Sequence, residues 1–379
     1  MFLFPRNVNF PPRRGDSLRV FEIARMTFKC GHRASVFYLD EKTPFRMNGV
    51  DFYPIRGKIT ADSSISETQS FISVLRDFLY FFTVSFIFAR RISKREKTIL
   101  YAHTPVGGLV GMLVKVFLNL ELVYDPHDWF YETWAFSHKD LSLAKQVFVF
   151  VFYKAAASLL ELVSNVFVCV SESMICAVKA RPRKVLIPNT FEAPASVGKI
   201  EAEKGLILFV GHVAAYQGVL NLIKAFALLE RKLTNVKLFV VGDGEAFELA
   251  QQLSEKLGVR KITFTGAVPH EKVYYFIGKA EVCVAPFLPL PLMNTSSPIK
   301  LLEYMAFDKK IVATDLQVLR KMLSGYEKAF FAQATPESLA QSIESALREK
   351  IVNKSSFGGT HLHQQGHVQE TVCTLYQSL

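Results

Sequence analysis

Two histidines stand where a parallel α/β sheet would place catalytic groups. His127 follows the apolar segment ELVYD, and His103 ends the apolar segment KTILYAH. Imidazole titrates near neutral pH, so either residue could exchange a proton with a substrate. A lone histidine after a strand is more often a structural hydrogen-bonding residue, and the residues alone leave the choice open. Asp125 and Asp128 lie beside His127 and offer carboxylates to a metal ion.

The segment NTSSPIKLLEYMA (294–306) predicts an anion site at the start of a helix. Pro298 is a good first helical residue, and Ser296 and Ser297 directly precede it. The free amides of a first helical turn can hold a phosphate. Glu303 lies one to two turns into the helix, on the side of the preceding Pro-rich loop. The alternative is an ordinary capped helix with a surface glutamate.

Predicted strands and helices alternate along the chain and position these residues. In the second half, strand starts lie about 20–30 residues apart, which is typical of right-handed βαβ units in a parallel sheet. The first half repeats the alternation less cleanly. We therefore predict an α/β protein with two Rossmann-like domains, over 1–190 and 191–362. A C-terminal helix over 363–379 is expected to pack back on the first domain.

The glycine-containing turns argue against two common nucleotide-binding classes. Gly211–Gly218 follows a predicted strand, but its sequence GHVAAYQG is neither GxGxxG nor a Walker loop. Nicotinamide dehydrogenases and P-loop NTPases therefore lose support. The turn Val240–Glu245, with the sequence VVGDGE, is compatible with any strand–turn–helix unit.

The net charge of +11 is concentrated in the first half. Residues 1–190 carry 25 Lys and Arg against 16 Asp and Glu, whereas 191–379 carry 20 against 18. Such an asymmetry indicates an anionic partner, which could be nucleic acid, phospholipid headgroups or a phosphorylated substrate. Nucleic acid is poorly supported, because the basic residues are not interleaved with exposed aromatic residues in a recognisable module.

Cysteine spacing and hydropathy predict a soluble protein of a reducing compartment. Five scattered cysteines form neither a disulfide framework nor a zinc ligand set, and each is expected to be a small buried apolar residue. Pro5 interrupts the apolar start too early for a signal peptide. The apolar run Phe78–Ala89 is shorter than the roughly 20 residues that span a bilayer. Lys154 and Glu161 interrupt the longer stretch Val147–Val170.

The order and spacing of these motifs resemble GT-B glycosyltransferases, and most of all glycosyltransferase family 4. The resemblance is closest in the second half, at Gly211–Gly218, Val241–Gly244, Phe264–Gly266, Val282–Pro286 and Ser297–Ala306. The first half matches more loosely, at Gly31-His32, Ile99–Pro105, Asp125–Asp128, Val170–Glu172 and Ile187–Asn189. The resemblance implies a GT-B fold, in which two parallel sheets face each other across a cleft.

The resemblance assigns the donor site to the second domain. Glu303 matches the second glutamate of the family's Glu-x7-Glu motif, which binds the nucleotide ribose, whereas the first glutamate is replaced by Thr295. Gln217 stands where the family usually has lysine, and His212 where it often has arginine. Lys300 or the helix amides must then neutralise the donor diphosphate. The donor-binding residues implied are Gly211, Gln217, Gly218, Val268 in the base-contacting loop Gly266–Pro269, Thr295, Ser296, Ser297, Lys300 and Glu303.

The resemblance also assigns residues of the first domain. His127 matches the cleft histidine near the donor sugar and is the expected catalytic residue. His103 competes for that role and is otherwise expected near the acceptor. The loop Arg13-Arg14-Gly15 resembles the family's phosphate- and acceptor-facing loop, and its alternative is a solvated loop. No metal and no cofactor are expected, with the nucleotide sugar as a co-substrate.

Two functions follow from the resemblance. The first is a retaining glycosyltransferase of the hexosyltransferase type, which moves a sugar from a nucleotide-diphosphate sugar to a glycan or lipid-linked acceptor. The second is a catalytically weakened glycosyltransferase-like protein that binds a glycan or a partner protein. The helix Phe71–Ser93, rich in phenylalanine and followed by a basic cluster, predicts contact with an anionic membrane at its cytoplasmic face, and its alternative is a core helix. No nucleic-acid partner is expected.

Overall fold

A computed structural model describes residues 1–7, 15–40, 43–56, 71–127, 143–179, 182–191, 200–349 and 357–379. The chain forms two compact units. Unit 1 comprises Met1–Pro188 together with Gly366–Leu379, and unit 2 comprises Asn189–Gln365. The sequence had suggested the nearby boundaries 190/191 and 362/363.

The described residues of unit 1 form an eight-stranded sheet in the order β3-β4-β2-β1-β5-β6-β7-β8. Its strands are β1 (Phe2–Asn7), β2 (Ser35–Leu39), β3 (Phe45–Met47), β4 (Val50–Ile55), β5 (Ile99–His103), β6 (Glu121–Asp125), β7 (Val166–Cys169) and β8 (Arg183–Leu186). Neighbouring strands pair in parallel, except that β3 and β4 form an antiparallel hairpin. Apolar patterning did not predict β1, although this strand lies in the middle of the sheet.

Helices cover both faces of this sheet. The helices of unit 1 are α1 (Gly15–Lys29), α2 (Phe71–Ser93), α3 (Thr104–Leu118), α4 (Leu143–Val163), α5 (Glu172–Ala177) and the C-terminal α12 (Phe357–Gln377). On one face, Val20 and Ile23 of α1 share a core with Val372 and Leu375 of α12. On the other face, α2, α3 and α4 contribute to a second core, to which α4 adds Leu160.

A disulfide bond joins the end of α1 to α12. Cys30 and Cys373 are bonded across 343 residues of sequence. The prediction that all five cysteines are reduced and buried is therefore wrong for this pair. It is also wrong for Cys176, which is an exposed free thiol, whereas Cys169 and Cys283 are buried and free. Local spacing could not reveal a bridge between segments so distant in the sequence.

The described residues of unit 2 form a six-stranded, entirely parallel sheet in the order β11-β10-β9-β12-β13-β14. Its strands are β9 (Leu206–Val210), β10 (Lys237–Val241), β11 (Ile262–Gly266), β12 (Val282–Ala285), β13 (Lys310–Thr314) and β14 (Ala329–Ala332). Its helices are α6 (Val219–Lys232), α7 (Phe247–Lys256), α8 (His270–Lys279), α9 (Ile299–Ala306), α10 (Gln317–Met322) and α11 (Pro336–Arg348), with 3-10 turns at Ala215–Gln217 and Pro291–Thr295.

The strand order determines where each unit can bind a ligand. Chain order reverses between β9 and β12 in unit 2, and between β1 and β5 in unit 1. Ligands of open parallel sheets bind in the crevice that such a reversal opens beyond the carboxyl ends of the strands. In unit 2, the turns after β9 and β12 lead to Gly211–Gly218 and to the start of α9. In unit 1, β5 ends at His103.

The helix α4 is unusually apolar for its position. Its segment Gln146–Val163 has a mean hydropathy of 1.6, and 17% of it is buried. Among the described residues, it is the one helix whose length and composition would allow it to cross a membrane. Length and composition alone are weak grounds for a membrane span, because core helices of soluble proteins pass the same test.

The disulfide should stabilise unit 1 measurably. Replacing Cys373 by serine removes the constraint on the unfolded chain, and we expect the free energy of unfolding to fall by about 2–4 kcal/mol. Denaturant titration under oxidising conditions measures this loss. Cys176→Ser is the matched control and should leave stability unchanged. A reductant should bring the wild-type protein to the stability of Cys373→Ser. Equal free energies of unfolding for the wild type and Cys373→Ser under oxidising conditions would show that the disulfide does not stabilise the protein.

Candidate functional site

Lys300 lies at the β9/β12 reversal of unit 2 and connects the two turns that meet there. Its Nζ donates a hydrogen bond of 2.8 Å to Oε1 of Gln217. A Cβ atom added at Gly211 would lie 2.9 Å from the same Nζ, so the ammonium group lies directly against the turn after β9. The structure therefore brings together Gly211, Gln217 and Lys300, three of the predicted donor-binding residues.

The surroundings of Lys300 are apolar and weaken its charge. Its Nζ lies 4.4 Å from the ring centre of Phe209 and 5.0 Å from that of Phe287. Desolvation among these groups lowers the pKa of Lys300 to about 7, against the opposing effect of the charge on Glu303. Near neutral pH this amine is therefore divided between its charged and neutral forms. An anion placed beside it would favour the charged form.

The glycines of this turn are required by close packing. Gly218 has a φ of 76°, and an added Cβ would lie 1.7 Å from the carbonyl oxygen of Pro286. Gly211 has a φ of 129°, which side chains rarely tolerate. Backbone from β9 can thus approach the loop after β12 closely. Both glycines shape the site through the backbone.

The helix α9 begins at Ile299, directly after Pro298. Pro298 is extended and precedes the first helical residue, Ile299, and no side chain caps the helix. The hydroxyls of Thr295 and Ser296 instead donate to the carbonyls of Leu292 and Met293 within the 3-10 turn. These two hydroxyls therefore stabilise the 3-10 turn that leads into α9.

The remaining contacts of this segment fix α9 against its neighbours. Ser297 accepts a hydrogen bond of 2.6 Å from Nδ2 of Asn189 through its carbonyl oxygen. The hydroxyl of Tyr304 accepts a bond from the amide of Val210, at the end of β9. Glu303 is 4% exposed, so the alternative of an ordinary surface glutamate is excluded.

Two other predicted positions of unit 2 have structural contacts. His212 lies against the turn after β10, with Nδ1 3.0 Å from the carbonyl oxygen of Asp243 and Nε2 2.7 Å from Oε2 of Glu245. Val268 is partly buried and packs against the core of unit 2. Both ring nitrogens of His212 thus contact neighbouring acceptors. The structure gives no support for His212 as a replacement for the family's arginine at the diphosphate.

In unit 1, a buried carboxylate organises the groups beyond β5 and β6. The carboxylate of Asp125 accepts a 2.9 Å bond from Nε of Arg19 and a 3.1 Å bond from the hydroxyl of Tyr101. Arg19 also donates 2.8 Å to the carbonyl oxygen of Ile187. Burial alone would raise the pKa of Asp125, but Arg19 and two nearby histidines outweigh it and hold the pKa at about 2. The carboxylate is therefore ionised at any working pH.

The two candidate histidines form one pair. Nδ1 of His103 lies 3.0 Å from Nε2 of His127, and 3.8 Å from Oδ2 of Asp125. His103 is fully buried among aromatic rings, so the predicted contact with an acceptor is not open to it in this structure. His127 is only partly buried, and its φ of 67° is unusual for a residue other than glycine. Its amide donates to Oδ1 of Asp125.

The same three side chains could in principle hold a metal ion. Ligand atoms of His103, Asp125 and His127 all lie within 4.8 Å of one another. The donor set is a poor fit, because Asp125 is already bound by the cationic Arg19 and by Tyr101. The two ring nitrogens also lie at hydrogen-bond distance from each other, which suits a shared proton. The expectation of a metal-free site thus stays a prediction.

Some predicted residues lie outside the described part of the chain, and two residues of the site were not predicted. Arg13, Arg14 and Asp128 lie outside the described residues, and Gly15 is the first residue of α1. Sequence reasoning missed Arg19 and Tyr101, which hold Asp125. A signal for Arg19 was present in the sequence, because it is a charged residue at one of the periodic apolar positions of the predicted first helix. In the structure Arg19 is 4% exposed.

Part of the chain matches a known family model and curated relatives. Residues 192–356 match the family model described as glycosyl transferases group 1. The alpha-D-kanosaminyltransferase of Streptomyces kanamyceticus is 30% identical over 148 residues, which is 38% of this chain and 37% of that protein. The chain thus matches about two fifths of the length of the curated relatives.

Solved structures resemble the chain over its whole length. Sucrose-phosphate synthase from Thermosynechococcus elongatus has a TM-score of 0.71 at 13% identity and covers 100% of this chain and 98% of its own. HepE of Anabaena, in complex with UDP-glucose, has a TM-score of 0.70 at 14% identity and covers 100% of both chains. At such low identity the likeness shows the fold, and it confirms the predicted GT-B architecture of two parallel-sheet units.

Proposed function

We propose that this chain, a GT-B protein with a group 1 glycosyl transferase domain over residues 192–356, is a retaining glycosyltransferase. It moves a sugar from a nucleotide-diphosphate sugar to a glycan or a lipid-linked acceptor. The observation that carries this proposal is Lys300, which lies between Gly211 and Gln217 at the β9/β12 reversal. Glu303 lies one turn further along the same helix.

Lys300, Glu303 and two glycines of unit 2 each have a role in binding the donor. A leaving diphosphate needs a compensating positive charge, and Lys300 supplies it at the point where Gln217 and His212 cannot. The buried carboxylate of Glu303 accepts hydrogen bonds from the ribose hydroxyls. The positive φ of Gly211 and Gly218 lets the backbone come close to the phosphates. Structures similar to this one bind UDP and UDP-glucose, which supports a nucleotide-sugar donor.

The group that acts beside the reacting sugar is His127. It is the partly exposed member of the histidine pair, whereas His103 is buried behind it. The ionised Asp125 stabilises positive charge on the pair, because opposite charges a few ångströms apart favour the charged form. His103 thus positions His127. The sugar bond breaks and forms on the same face of the ring, as retention requires, and no metal takes part.

A second function is a binding protein with weakened catalysis. The observations that favour it are the replacement of the family's lysine by Gln217 and the engagement of His212 with Asp243 and Glu245. We place either protein at the cytoplasmic face of a membrane. The disulfide between Cys30 and Cys373 is more typical of oxidising compartments and is the observation that stands against this location.

Incubation with a panel of nucleotide sugars distinguishes the two functions. The first function predicts release of nucleoside diphosphate from at least one donor, starting with UDP-sugars, and predicts that a glycan or lipid-linked acceptor accelerates the release. The second predicts saturable donor or glycan binding without release. Turnover that inverts the anomeric configuration of the product would contradict retention alone.

Glu303→Gln should weaken donor binding while the fold is retained. The change removes a charge-assisted acceptor worth about 1.5–3 kcal/mol, which corresponds to a dissociation constant about 10- to 150-fold higher. Calorimetric titration with the donor found in the panel measures it. The exposed Glu248, on α7 of the same unit, gives the control variant Glu248→Gln, which should bind as the wild type does. An unchanged constant in folded Glu303→Gln would refute the ribose assignment.

His127→Ala should reduce turnover more than donor affinity. A group that contacts the reacting sugar acts mainly in the transition state, and we expect kcat to fall by about 100-fold with a smaller change in the donor dissociation constant. His103→Gln keeps a polar side chain and should reduce kcat less. If His103→Gln is the more damaging variant at equal thermal stability, the roles of the two histidines are reversed.

A further inference from the structure

The outward face of α4 is largely apolar. Six large apolar side chains of this face are between 40% and 72% exposed. They are Val147, Phe148, Val151, Phe152, Leu159 and Leu162, and we call them the outer face of α4. They recur at the spacing of one side of a helix. Soluble monomers rarely expose apolar patches of this extent without an interaction partner.

The opposite side of α4 holds the helix to unit 1. Ala156, Ala157 and Leu160 are buried, and Nζ of Lys115 donates to the carbonyl oxygen of Val163 at the end of the helix. Among the described side chains, the exposed positions of α4 carry no aspartate or glutamate. Their one charged residue is Lys154, whose Nζ lies 5.6 Å from the ring centre of Phe150. The six residues of the outer face are thus uncharged, and Glu161 of the same helix is partly buried.

The connections of α4 exclude a membrane span. The strands that precede and follow it, β6 and β7, pair directly in the same sheet, so the chain must return to that sheet after the helix. The helix also packs against α3. A helix fixed in this way can lie in the plane of a membrane surface with its outer face in the lipid, but it cannot cross the bilayer.

Basic residues lie in the same layer of helices. The helices α2, α3 and α4 each end just before a strand of one parallel sheet, so their last turns lie at the same edge of that sheet. At this edge α3 exposes Val116 and Phe117, and the ring of Phe117 lies 6.0 Å from that of Phe86 on α2. A shallow groove beside Phe86 is lined by Ile87, Arg90, Arg91, Lys94 and Arg95.

We propose that unit 1 docks on an anionic lipid bilayer through the outer face of α4, with the four basic residues of the α2 groove bound to phospholipid headgroups. Apolar side chains enter the boundary between headgroups and acyl chains, while the basic groups stay at the level of the phosphates. The charge complementarity commits the surface to an anionic membrane, because a neutral protein partner would not require Arg90, Arg91, Lys94 and Arg95.

This docking deepens the proposed function and rests on it in one respect: it would hold the chain at the bilayer that contains a lipid-linked acceptor. It makes a separate physical claim, however. Binding to vesicles needs neither a donor nor the side chains of the donor site. The two claims can therefore fail independently.

Sedimentation with vesicles tests the docking directly. The probes are vesicles of phosphatidylcholine alone and vesicles in which about one third of the lipid is phosphatidylglycerol. We expect the wild-type chain to bind the anionic vesicles and to bind the neutral ones at least 10-fold more weakly. Binding should weaken as salt rises, because the Debye length shortens.

Two variants separate the apolar and the basic contributions. Phe148→Ser combined with Phe152→Ser should lower binding to anionic vesicles by at least 10-fold, because two exposed aromatic groups no longer enter the lipid. Arg90→Glu combined with Arg91→Glu should lower it by a similar factor and flatten the salt dependence. The matched controls lie in unit 2. They are Leu249→Ser with Tyr275→Ser, and Lys224→Glu with Lys256→Glu, all at exposed positions.

The outcomes are distinct. Loss of vesicle binding in both unit 1 variants, with unchanged thermal unfolding and unchanged release of nucleoside diphosphate in solution, supports the docking. Equal binding by wild type and the Phe148/Phe152 variant overturns it. A second result also overturns it: the wild type does not bind anionic vesicles, but it forms a dimer that the Phe148/Phe152 variant does not form. A second copy of the chain would then cover the outer face of α4. Vesicle binding without any donor turnover would leave the docking intact and refute the proposed activity.

Discussion

The candidate donor site depends on one partly buried ammonium group. Lys300 lies against the turn after β9, between two phenyl rings, and donates to Gln217. A charge placed there without a ligand is costly, which is why its pKa falls to about 7. Only Gly211 lets the backbone come so close to it, and only the reversal of strand order between β9 and β12 brings the two turns together. A bound diphosphate would relieve that cost, so the site is arranged for an anion.

Unit 1 also places a charged group at its candidate site, and this group is negative. Its buried charge is the carboxylate of Asp125, which Arg19 and Tyr101 bind from α1 and β5. Oδ2 of this carboxylate lies 3.8 Å from Nδ1 of His103, one member of the histidine pair. The disulfide from Cys30 to Cys373 fastens α12 to the end of α1, the helix that carries Arg19. The position of the partly exposed His127 therefore depends on contacts made across most of the chain.

The sequence predicts local elements well and long-range contacts poorly. The alternation of strands and helices in unit 2 agrees with the one predicted from apolar periodicity, because the pattern of neighbouring residues determines it. The strand β1 was missed, since Pro5 and Arg6 interrupt its short apolar run. Contacts that carry chemistry, such as Lys300 with Gln217 or Arg19 with Asp125, join residues 83 and 106 positions apart. Periodicity carries no information on such pairs, and only the resemblance indicated that some of these residues belong to one site.

Proton uptake on donor binding tests the role of Lys300 most directly. A diphosphate beside the amine raises its pKa above 7, so binding at pH 8 must take up a proton that the free protein has released. Calorimetry with a nucleotide sugar, in two buffers of different ionisation enthalpy, measures this uptake. We expect an uptake approaching one proton per donor at pH 8, and an affinity that falls about 10-fold per pH unit above 7. We expect no uptake in Lys300→Met. Donor binding to the wild-type chain at pH 8 without proton uptake would contradict it.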